Sequence, residues 1–314
     1  MELTIGVDVG GTKIAAGVVD DQGRVLEQSR VSTPVATAQA VEEGIVQAVT
    51  RLRKNHDVSA VGVAAPGFVD EQRSVVRFTP NLPLRERPLR KTLSEALDLP
   101  VVVENDANAA AWGEFRFGGG RDVVDMVLIT VGTGLGGGIV LGGRLLRGAW
   151  GSASEFGHMR MVPDGHPCGC GNRGCWEQYT SGRALVREAR LLASSKPSQG
   201  ARLIDLAGGD PGAITGPMVS QAAEDGDPAA LGLVGDLARW LGEGIADVAC
   251  LLDPALVVVG GGLCELGDLL LKPTRLAFTG QLSAAAYRPQ LEITTAELGN
   301  GAGLIGVADL ARIP

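Results

Sequence analysis

Three of the five cysteines lie within eight residues, in the stretch CGCGNRGC at 168–175. His158 lies ten positions before the first of them. Zn²⁺ takes four tetrahedral ligands, commonly thiolate sulfur and imidazole nitrogen, and the intervening glycines permit a tight loop. The sequence therefore predicts a structural zinc site held by His158, Cys168, Cys170 and Cys175. His166 is an alternative fourth ligand, and a disulfide or a plain glycine-rich turn is the competing interpretation.

Two carboxylates flank this loop. Glu155 precedes His158 by three residues, and Glu177 follows Cys175 by two. A zinc ion with four protein ligands has no position left for water, so its expected role is to hold these carboxylates in place. Held there, each could accept hydrogen bonds from neighbouring hydroxyl groups of a sugar.

Three glycine-rich turns follow apolar segments of the chain. Glycine lets backbone N–H groups approach phosphate oxygens, and a threonine hydroxyl adds a further donor. A hairpin explains each turn taken alone, but three turns after three apolar segments favour a nucleotide site. The candidate nucleotide-binding residues are Gly10, Gly11, Thr12, Lys13, Thr133, Gly134, Gly260, Gly261 and Gly262.

Two familiar nucleotide motifs are excluded. The chain contains no Gly-x-x-x-x-Gly-Lys-Ser/Thr, so it is not a P-loop protein. Residues 132–137 match the dinucleotide pattern Gly-x-Gly-x-x-Gly, but that pattern requires a helix to follow. Residues 138–143 favour a strand and a turn instead, and we therefore reject a Rossmann fold.

Charged residues accompany the first turn. Asp8 lies two residues before it and is a candidate Mg²⁺ ligand, because Mg²⁺ usually binds one or two carboxylates together with substrate phosphates. Lys13 could offset phosphate charge. The competing interpretations are an edge carboxylate and a lysine that simply points into solvent.

A polar cluster, ENDAN at 104–108, lies where a predicted strand meets a predicted helix. Helix capping alone would explain a carboxylate there. Transfer of a γ-phosphoryl group to a hydroxyl also needs a group that receives the proton of the acceptor. A carboxylate of this cluster, Glu104 or Asp106, is therefore a candidate general base, and Asn105 and the loop residue Asn81 could hydrogen-bond to a polyol.

The elements that must position these residues repeat along the chain. Residues 3–31 predict an antiparallel meander of three strands, and the strand, turn and strand over 126–141 repeat its first half. This duplication predicts an α/β fold of two related domains with a cleft between them. Further helices are predicted at 38–54, 88–97, 107–115, 181–194, 217–225, 227–253 and 301–312, and further strands at 60–65, 101–104, 256–259 and 291–295.

Composition excludes several classes of protein. A net charge of −8 over 314 residues argues against a nucleic-acid-binding surface. No apolar stretch reaches about 18 residues, so no membrane span is expected. Asp8 interrupts the apolar N-terminal run, which excludes a signal peptide. Cys250 and Cys264 lie in apolar segments and are predicted to be buried thiols, so we expect a reducing, cytoplasmic location.

Together these motifs resemble the ROK family of sugar kinases and regulators. The stretches that carry the resemblance are 5–13, 104–109, 132–138, 155–158, 168–177 and 259–262. The resemblance implies an actin-like ATPase (ribonuclease H-like) fold. Because the C-terminal helix of family members returns to the first domain, we expect a small domain of 1–106 with 301–314 and a large domain of 107–300 that carries the zinc.

The resemblance also assigns roles to the candidate residues. It implies that Asp106 is the catalytic base and that Mg²⁺ accompanies ATP on the three glycine-rich turns. It implies that zinc is held by His158 and the three cysteines of 168–175. The residues implied to contact the sugar are Asn81, Asn105, Asp106, Glu155, His158 and Glu177.

The implied activity is ATP-dependent phosphorylation of glucose at its 6-hydroxyl, as in the family's glucokinases of actinobacterial type. Family members are commonly dimers or tetramers, so a homo-oligomer is expected. The alternatives are a kinase for an N-acylmannosamine or fructose, a polyphosphate-dependent kinase, and a sugar-sensing regulator without catalysis. The intact Asp106 and the lack of a DNA-binding segment before residue 1 argue against the regulator.

Overall fold

The computed structural model describes residues 2–289 and 291–313. The chain divides into two compact units: unit 1 is Met1–Leu128, Gly137–Ser154 and Glu297–Pro314, and unit 2 is Ile129–Gly136 and Glu155–Ala296. The domain division expected from the sequence stays a prediction. Among the described helices, none combines the length and the apolar character that crossing a bilayer requires.

The chain contains groups of consecutive strands separated by helices, and a run of helices from α4 to α7. The strands are β1 (Thr4–Val9), β2 (Lys13–Val19), β3 (Val25–Ser32), β4 (Ala60–Ala65), β5 (Phe68–Val69), β6 (Val76–Phe78), β7 (Arg85–Arg87), β8 (Val101–Asn105), β9 (Met126–Val131), β10 (Leu135–Leu141), β11 (Arg144–Leu145), β12 (Leu256–Gly260) and β13 (Glu292–Thr295). The helices are α1 (Ala38–Leu52), α2 (Leu89–Leu97), α3 (Asp106–Phe117), α4 (Gly182–Ser195), α5 (Ala201–Leu206), α6 (Gly216–Glu224), α7 (Pro228–Leu252), α8 (Asp268–Gln281) and α9 (Ala302–Leu310).

The first sheet has the order β3-β2-β1-β4-β8 within the described residues. Strands β1, β2 and β3 pair antiparallel, which confirms the predicted meander. Strands β1, β4 and β8 pair parallel, with Asp8 opposite Ala64 and Ala64 opposite Glu104. Because parallel strands end at the same edge of a sheet, Asp8 and Asn105 lie at one edge.

The second sheet has the order β11-β10-β9-β12-β13 in the part of the chain that the structure describes. Position for position it repeats the first sheet, which confirms the predicted duplication. Strand β10 begins directly after the turn at 132–134. A strand therefore follows the Gly-x-Gly-x-x-Gly pattern where a Rossmann fold would have a helix, as predicted.

Helices cover both faces of the first sheet. Alternate residues of a strand point to opposite faces, and Ile5 and Val7 belong to the same core cluster as the buried face of α1. On the other face, Gly6 and Gly62 lie directly against the carbonyls of Leu304 and Val307 in α9. The C-terminal helix thus packs on the strands that begin the chain.

The long helix α7 is unbroken despite its internal glycines. Gly242 lies against the Thr274 carbonyl of α8, and Gly244 lies against the indole of Trp176. A side chain at either position would block this close packing. The sequence did not predict helix α8, which carries Pro273 in its interior, the short helix α5, the short strand β11, or a small sheet of order β5-β6-β7.

Candidate active site

The predicted base lies at the junction between β8 and α3. Asn105 is the N-cap residue of α3, and its Oδ1 accepts a hydrogen bond from the Asn108 backbone N–H at 3.0 Å. Its side-chain amide donates to the Gly67 carbonyl at 2.9 Å. Asp106 is the first helical residue, and its Oδ1 accepts from the Ala107 N–H at 2.9 Å. Both side chains are therefore held by local hydrogen bonds at the edge where the parallel strands end.

The first glycine-rich turn lies at the same edge. The Gly10 N–H donates to the Lys13 carbonyl at 2.9 Å, and Thr33 Oγ1 donates to the Gly10 carbonyl at 2.7 Å. Gly11, Thr12 and Lys13 are exposed. A Cβ built at Gly11 would lie 4.0 Å from the Cβ of Asn81, so the structure brings Asn81 to this turn.

Asp8 is a half-buried carboxylate beside the turn. Burial raises its pKa above the ordinary value, and the positive charge of Lys13 acts in the opposite direction. Burial disfavours the ionised form of a carboxylate, and a cation that binds next to the carboxylate stabilises that form. This is the electrostatic environment expected of a Mg²⁺ ligand.

The predicted metal ligands lie together. The ligand atoms of His158, Cys168, Cys170 and Cys175 are all within 4.8 Å of one another. Cys168 Sγ lies 3.7 Å from His158 Nδ1, and Cys170 Sγ lies 3.6 Å from Cys175 Sγ. Ligand atoms of a tetrahedral zinc site with Zn–S bonds of about 2.3 Å are separated by about 3.8 Å. The four side chains therefore fit a zinc ion.

The alternative ligand His166 lies in different surroundings. Its ring is 5.4 Å from the ring of Tyr179, and its Nε2 is 3.9 Å from a carboxylate oxygen of Glu188. Its backbone N–H donates to the Tyr179 hydroxyl at 3.0 Å. Among the described residues, the group that could hold a metal ion contains His158 and not His166.

The two flanking carboxylates both interact with this cluster. Cys168 Sγ donates to Glu177 Oε1 at 3.0 Å, and a Cβ built at Gly134 would lie 3.0 Å from Glu177 Oε2. Glu177 thus connects the metal cluster with the second glycine-rich turn. Partial burial raises the pKa of Glu155; His158 lowers it and the Glu177 charge raises it.

The second and third glycine-rich turns line one cavity in unit 2. Its volume is about 980 Å³. Gly261 has φ +89°, and a Cβ there would lie 2.5 Å from the Val131 carbonyl, so glycine lets this turn approach the end of β9. The Gly132 carbonyl accepts from the Gly182 N–H at the start of α4 at 2.8 Å. Gly132, Thr133 and Gly262 belong to the lining.

The same cavity reveals residues that the sequence analysis missed. They come from α4, α6 and the short helix after β12, and they include Arg183, Arg190, Ser220, Gln221 and Leu263. Guanidinium groups suit phosphate oxygens and amides suit a heteroaromatic base. No local motif marks these residues, because each is an ordinary position on an amphipathic helix.

The candidate residues are divided between the two units. Unit 1 contains Asp8, Gly10, Gly11, Thr12, Lys13, Asn81, Asn105 and Asp106, and unit 2 contains Thr133, Gly134, Glu155, His158, Cys168, Cys170, Cys175, Glu177, Gly260, Gly261 and Gly262. One prediction outside the site is wrong: Cys250 is exposed, because it lies on the outer side of α7, and Cys264 is only half-buried.

Two sugar kinases are similar in sequence to this chain over almost its whole length. A glucokinase from Streptomyces coelicolor is 52% identical over 314 residues, which is 100% of this chain and 99% of that protein. An N-acetylmannosamine kinase from Escherichia fergusonii is 38% identical over 313 residues, which is 98% of each chain.

A solved structure is also similar to this chain. A ROK family glucokinase from Streptomyces griseus, in complex with glucose and AMPPNP, matches with a TM-score of 0.89 and 52% identity, covering 99% of this chain and 100% of that one. The duplicated sheets thus form the predicted actin-like ATPase fold. The ROK family pattern matches residues 4–313. With this match over nearly its whole length, the chain belongs to the ROK family.

Proposed function

We propose that this protein is an ATP-dependent kinase that phosphorylates glucose at its 6-hydroxyl. The observation that carries the proposal is the full-length likeness to the Streptomyces griseus enzyme, whose structure holds glucose and an ATP analogue. The proposal is also supported by the residues predicted from the sequence to form the site. Some of them belong to unit 1 and the others to unit 2.

Asp106 is the proposed general base. Phosphoryl transfer needs the acceptor hydroxyl to be aligned and its proton to be received as the new bond forms. A carboxylate at a helix N-terminus, held by a local hydrogen bond, has a defined direction for that task. Asn105 and Asn81 are proposed to hydrogen-bond to other hydroxyls of the sugar.

The sugar contacts of unit 2 are proposed to be Glu155, His158 and Glu177. His158 Nδ1 faces Cys168 Sγ, so a zinc ion would take that nitrogen and the other nitrogen would be available to a hydroxyl. Zinc in this site would be structural, because four protein ligands leave no position for water. Burial raises the pKa of Cys168, and a bound cation would stabilise the thiolate against that effect.

The nucleotide is proposed to lie against the three glycine-rich turns. The turns at 132–134 and 260–262 line the cavity of unit 2, and the exposed residues Gly11, Thr12 and Lys13 would contribute from unit 1. Asp8 would hold Mg²⁺, which neutralises phosphate charge. We also propose a homo-oligomer, while the cytoplasmic location stays a prediction from the sequence.

The second candidate activity is phosphorylation of an N-acylmannosamine, which the 38% identity to such a kinase favours. A coupled assay of ADP release with MgATP and glucose, N-acetylmannosamine or fructose separates the two. We expect kcat/KM to be highest with glucose. A higher kcat/KM with N-acetylmannosamine would show that this sugar, and not glucose, is the preferred substrate. Sugar binding without ADP release would indicate a regulator.

The same assay tests the base. Asp106→Asn keeps a side-chain oxygen that can accept from the Ala107 N–H but removes the basic carboxylate. We expect kcat to fall by roughly 10²–10⁴-fold, with glucose affinity retained within an order of magnitude. Isothermal titration with glucose measures the second quantity. Unchanged turnover would exclude Asp106 as the base.

A further inference from the structure

A buried ion-pair cluster is centred on Glu104, two residues before the predicted base. Glu104 is the residue of β8 before Asn105, and only 3% of its side chain is exposed. Its Oε2 accepts from Arg147 Nε at 2.6 Å, and Arg73 Nε lies 3.6 Å from the same oxygen. Burial and the nearby charge of Arg147 lower the pKa of Arg73 to about 10. Arg73 is therefore still charged at neutral pH, and the formal charges of two arginines and one carboxylate sum to +1.

The other oxygen of Glu104 holds the backbone at the site. Oε1 accepts from the Asn105 backbone N–H at 3.0 Å and from the side-chain amide of Asn108 at 3.2 Å. Asn108 is itself buried, and its backbone N–H donates to Asn105 Oδ1. The carboxylate of Glu104 thus ties together the residues on either side of Asp106.

Segments distant in sequence converge on this carboxylate. Arg73 lies at the end of the β5–β6 turn with φ +58°, and its carbonyl accepts from the Val103 N–H of β8 at 3.2 Å. Arg147 belongs to the segment that follows β11 and leads along the chain to Glu155. Because Asp106 is the first residue of α3, a small rotation of this junction would redirect its side chain.

We propose that Arg147 is a positioning residue for the reaction: its ion pair with Glu104 fixes the carboxylate that sets the direction of Asp106. This inference rests on the proposed function for its kinetic consequence. Its structural consequence, ordering of the backbone at 105–108, does not depend on which sugar is the substrate.

The charges of the cluster determine which variant tests this. Glu104→Gln would leave two arginines without their carboxylate, so it is expected to unfold the site. Arg147→Met keeps an unbranched stem up to the position of Nε but removes the charged guanidinium group, and Arg73 remains beside Glu104 to balance its charge. Arg147→Lys restores the charge without the planar guanidinium.

The matched control is the pair of Arg87 and Glu42. Arg87 Nε lies 2.6 Å from Glu42 Oε1, and 6% of the Glu42 side chain is exposed. The geometry and burial resemble those of Arg147 and Glu104, but Glu42 belongs to α1 and makes no contact with the Asn105–Asn108 turn that the structure describes. Arg87→Met therefore reports the effect of losing a buried pair as such.

The kinetic test compares kcat and KM. Misplacing a catalytic group by about 1 Å costs up to roughly 10²-fold in rate. We expect Arg147→Met to lower kcat with glucose by roughly 10–100-fold, while the KM for glucose and the KM for MgATP each change less than about threefold. Arg147→Lys should recover part of the loss in kcat. Arg87→Met should keep kcat within about twofold of the wild-type value, even if its melting temperature falls as much as that of Arg147→Met. Wild-type kcat in Arg147→Met, or an equal loss in Arg87→Met, would overturn the inference.

Amide hydrogen exchange provides the readout that is independent of catalysis. In Arg147→Met the amides of Asn105 and Asn108 should exchange roughly tenfold faster than in the wild type, while Arg87→Met should leave them unchanged. If the wild-type protein phosphorylates no hexose, the proposed function fails and this measurement alone decides the inference. Unchanged exchange at 105–108 in Arg147→Met would then refute it.

Discussion

At the scale of single residues, two carboxylates on either side of Ala64 have opposite electrostatic surroundings. Glu104 is buried and has two arginines beside it. Asp8 is half-buried, and among the described residues the charge of the exposed Lys13 is what offsets its loss of water. An ionised group that the fold does not compensate is typical of a functional site, where a ligand supplies the missing charge. The contrast supports assigning Glu104 to positioning and Asp8 to the metal–nucleotide complex.

This predicts that Asp8→Asn stabilises the protein without nucleotide or Mg²⁺ at neutral pH. The raised pKa means that the folded state holds the proton more tightly than the unfolded state. The wild type therefore loses stability as pH rises from the ordinary value near 3.8 through the folded pKa. Melting curves should show the variant above the wild type at pH 7 and the two converging near pH 4, while kcat with MgATP falls.

Asp20 provides a control of opposite sign. Burial alone would raise its pKa, but hydrogen bonds from Arg24 and Gln22 outweigh burial and lower it. Its contribution to stability is present above the ordinary value and is lost as pH falls through the folded pKa. Asp20→Asn should therefore lower the melting temperature at pH 7. If Asp8→Asn lowers it as well, Asp8 is a structural carboxylate and our assignment is wrong.

At the scale of elements, the loop over 159–175, which carries the three predicted cysteine ligands, is the least regular part of the candidate site. Between Met159 and Cys175 the structure shows turns and two isolated bridges, Arg160 with Cys175 and Pro167 with Arg173. Backbone pairing of this kind contributes little, so we expect a bound metal ion to cross-link the loop. The loop then holds Glu177 against Gly134.

We therefore predict about one zinc per chain and a loss of stability when it is removed. Dialysis against a chelator should lower the melting temperature and raise KM for glucose, because Glu155 and Glu177 lose their support. Elemental analysis and differential scanning calorimetry measure the two effects. His158→Ala should lower the zinc content and His166→Ala should not. The reverse result would make His166 the ligand, and an unchanged melting temperature after chelation would refute the structural role.

At the scale of the whole molecule, the C-terminal helix α9 covers one face of the sheet that begins the chain. Thr4 Oγ1 donates to the Ala308 carbonyl at 2.9 Å, and Trp112 Nε1 donates to Asp309 at 2.8 Å. Gly6 and Gly62 allow α9 to lie directly on β1 and β4. Since β1, β4 and β8 present Asp8 and Asn105 at one edge, the packing of α9 supports the site from below.

Gly62→Ala tests this packing. Its Cβ would overlap the Val307 carbonyl, which is backbone of a helix and cannot rotate away. We expect a loss of roughly 3 kcal/mol in the free energy of unfolding, measured by urea denaturation. Gly280→Ala is the control, because a Cβ there meets nothing within 4 Å and alanine favours a helix by up to about 1 kcal/mol over glycine. Equal effects of the two changes would show that α9 does not pack as described.

Features that depend on neighbouring residues were predictable from the sequence. The strands β4 and β9 have the predicted bounds, and a helix with Asn105 as its N-cap follows β8 where the sequence predicted a helix, since these patterns involve only a few consecutive positions. The metal ligands lie within 18 residues of the chain, so their types and spacing sufficed to bring them together as one candidate site.

Tertiary structure alone decided the rest. Arg147 lies 43 positions from Glu104, and the cavity of unit 2 is lined from four separate segments. Helix α8 was missed because Pro273 lacks the N–H that an interior helical position uses, and packing against α7 overrides that loss. Such pairings depend on which distant segments the fold places side by side, and no local pattern of residue types records that choice.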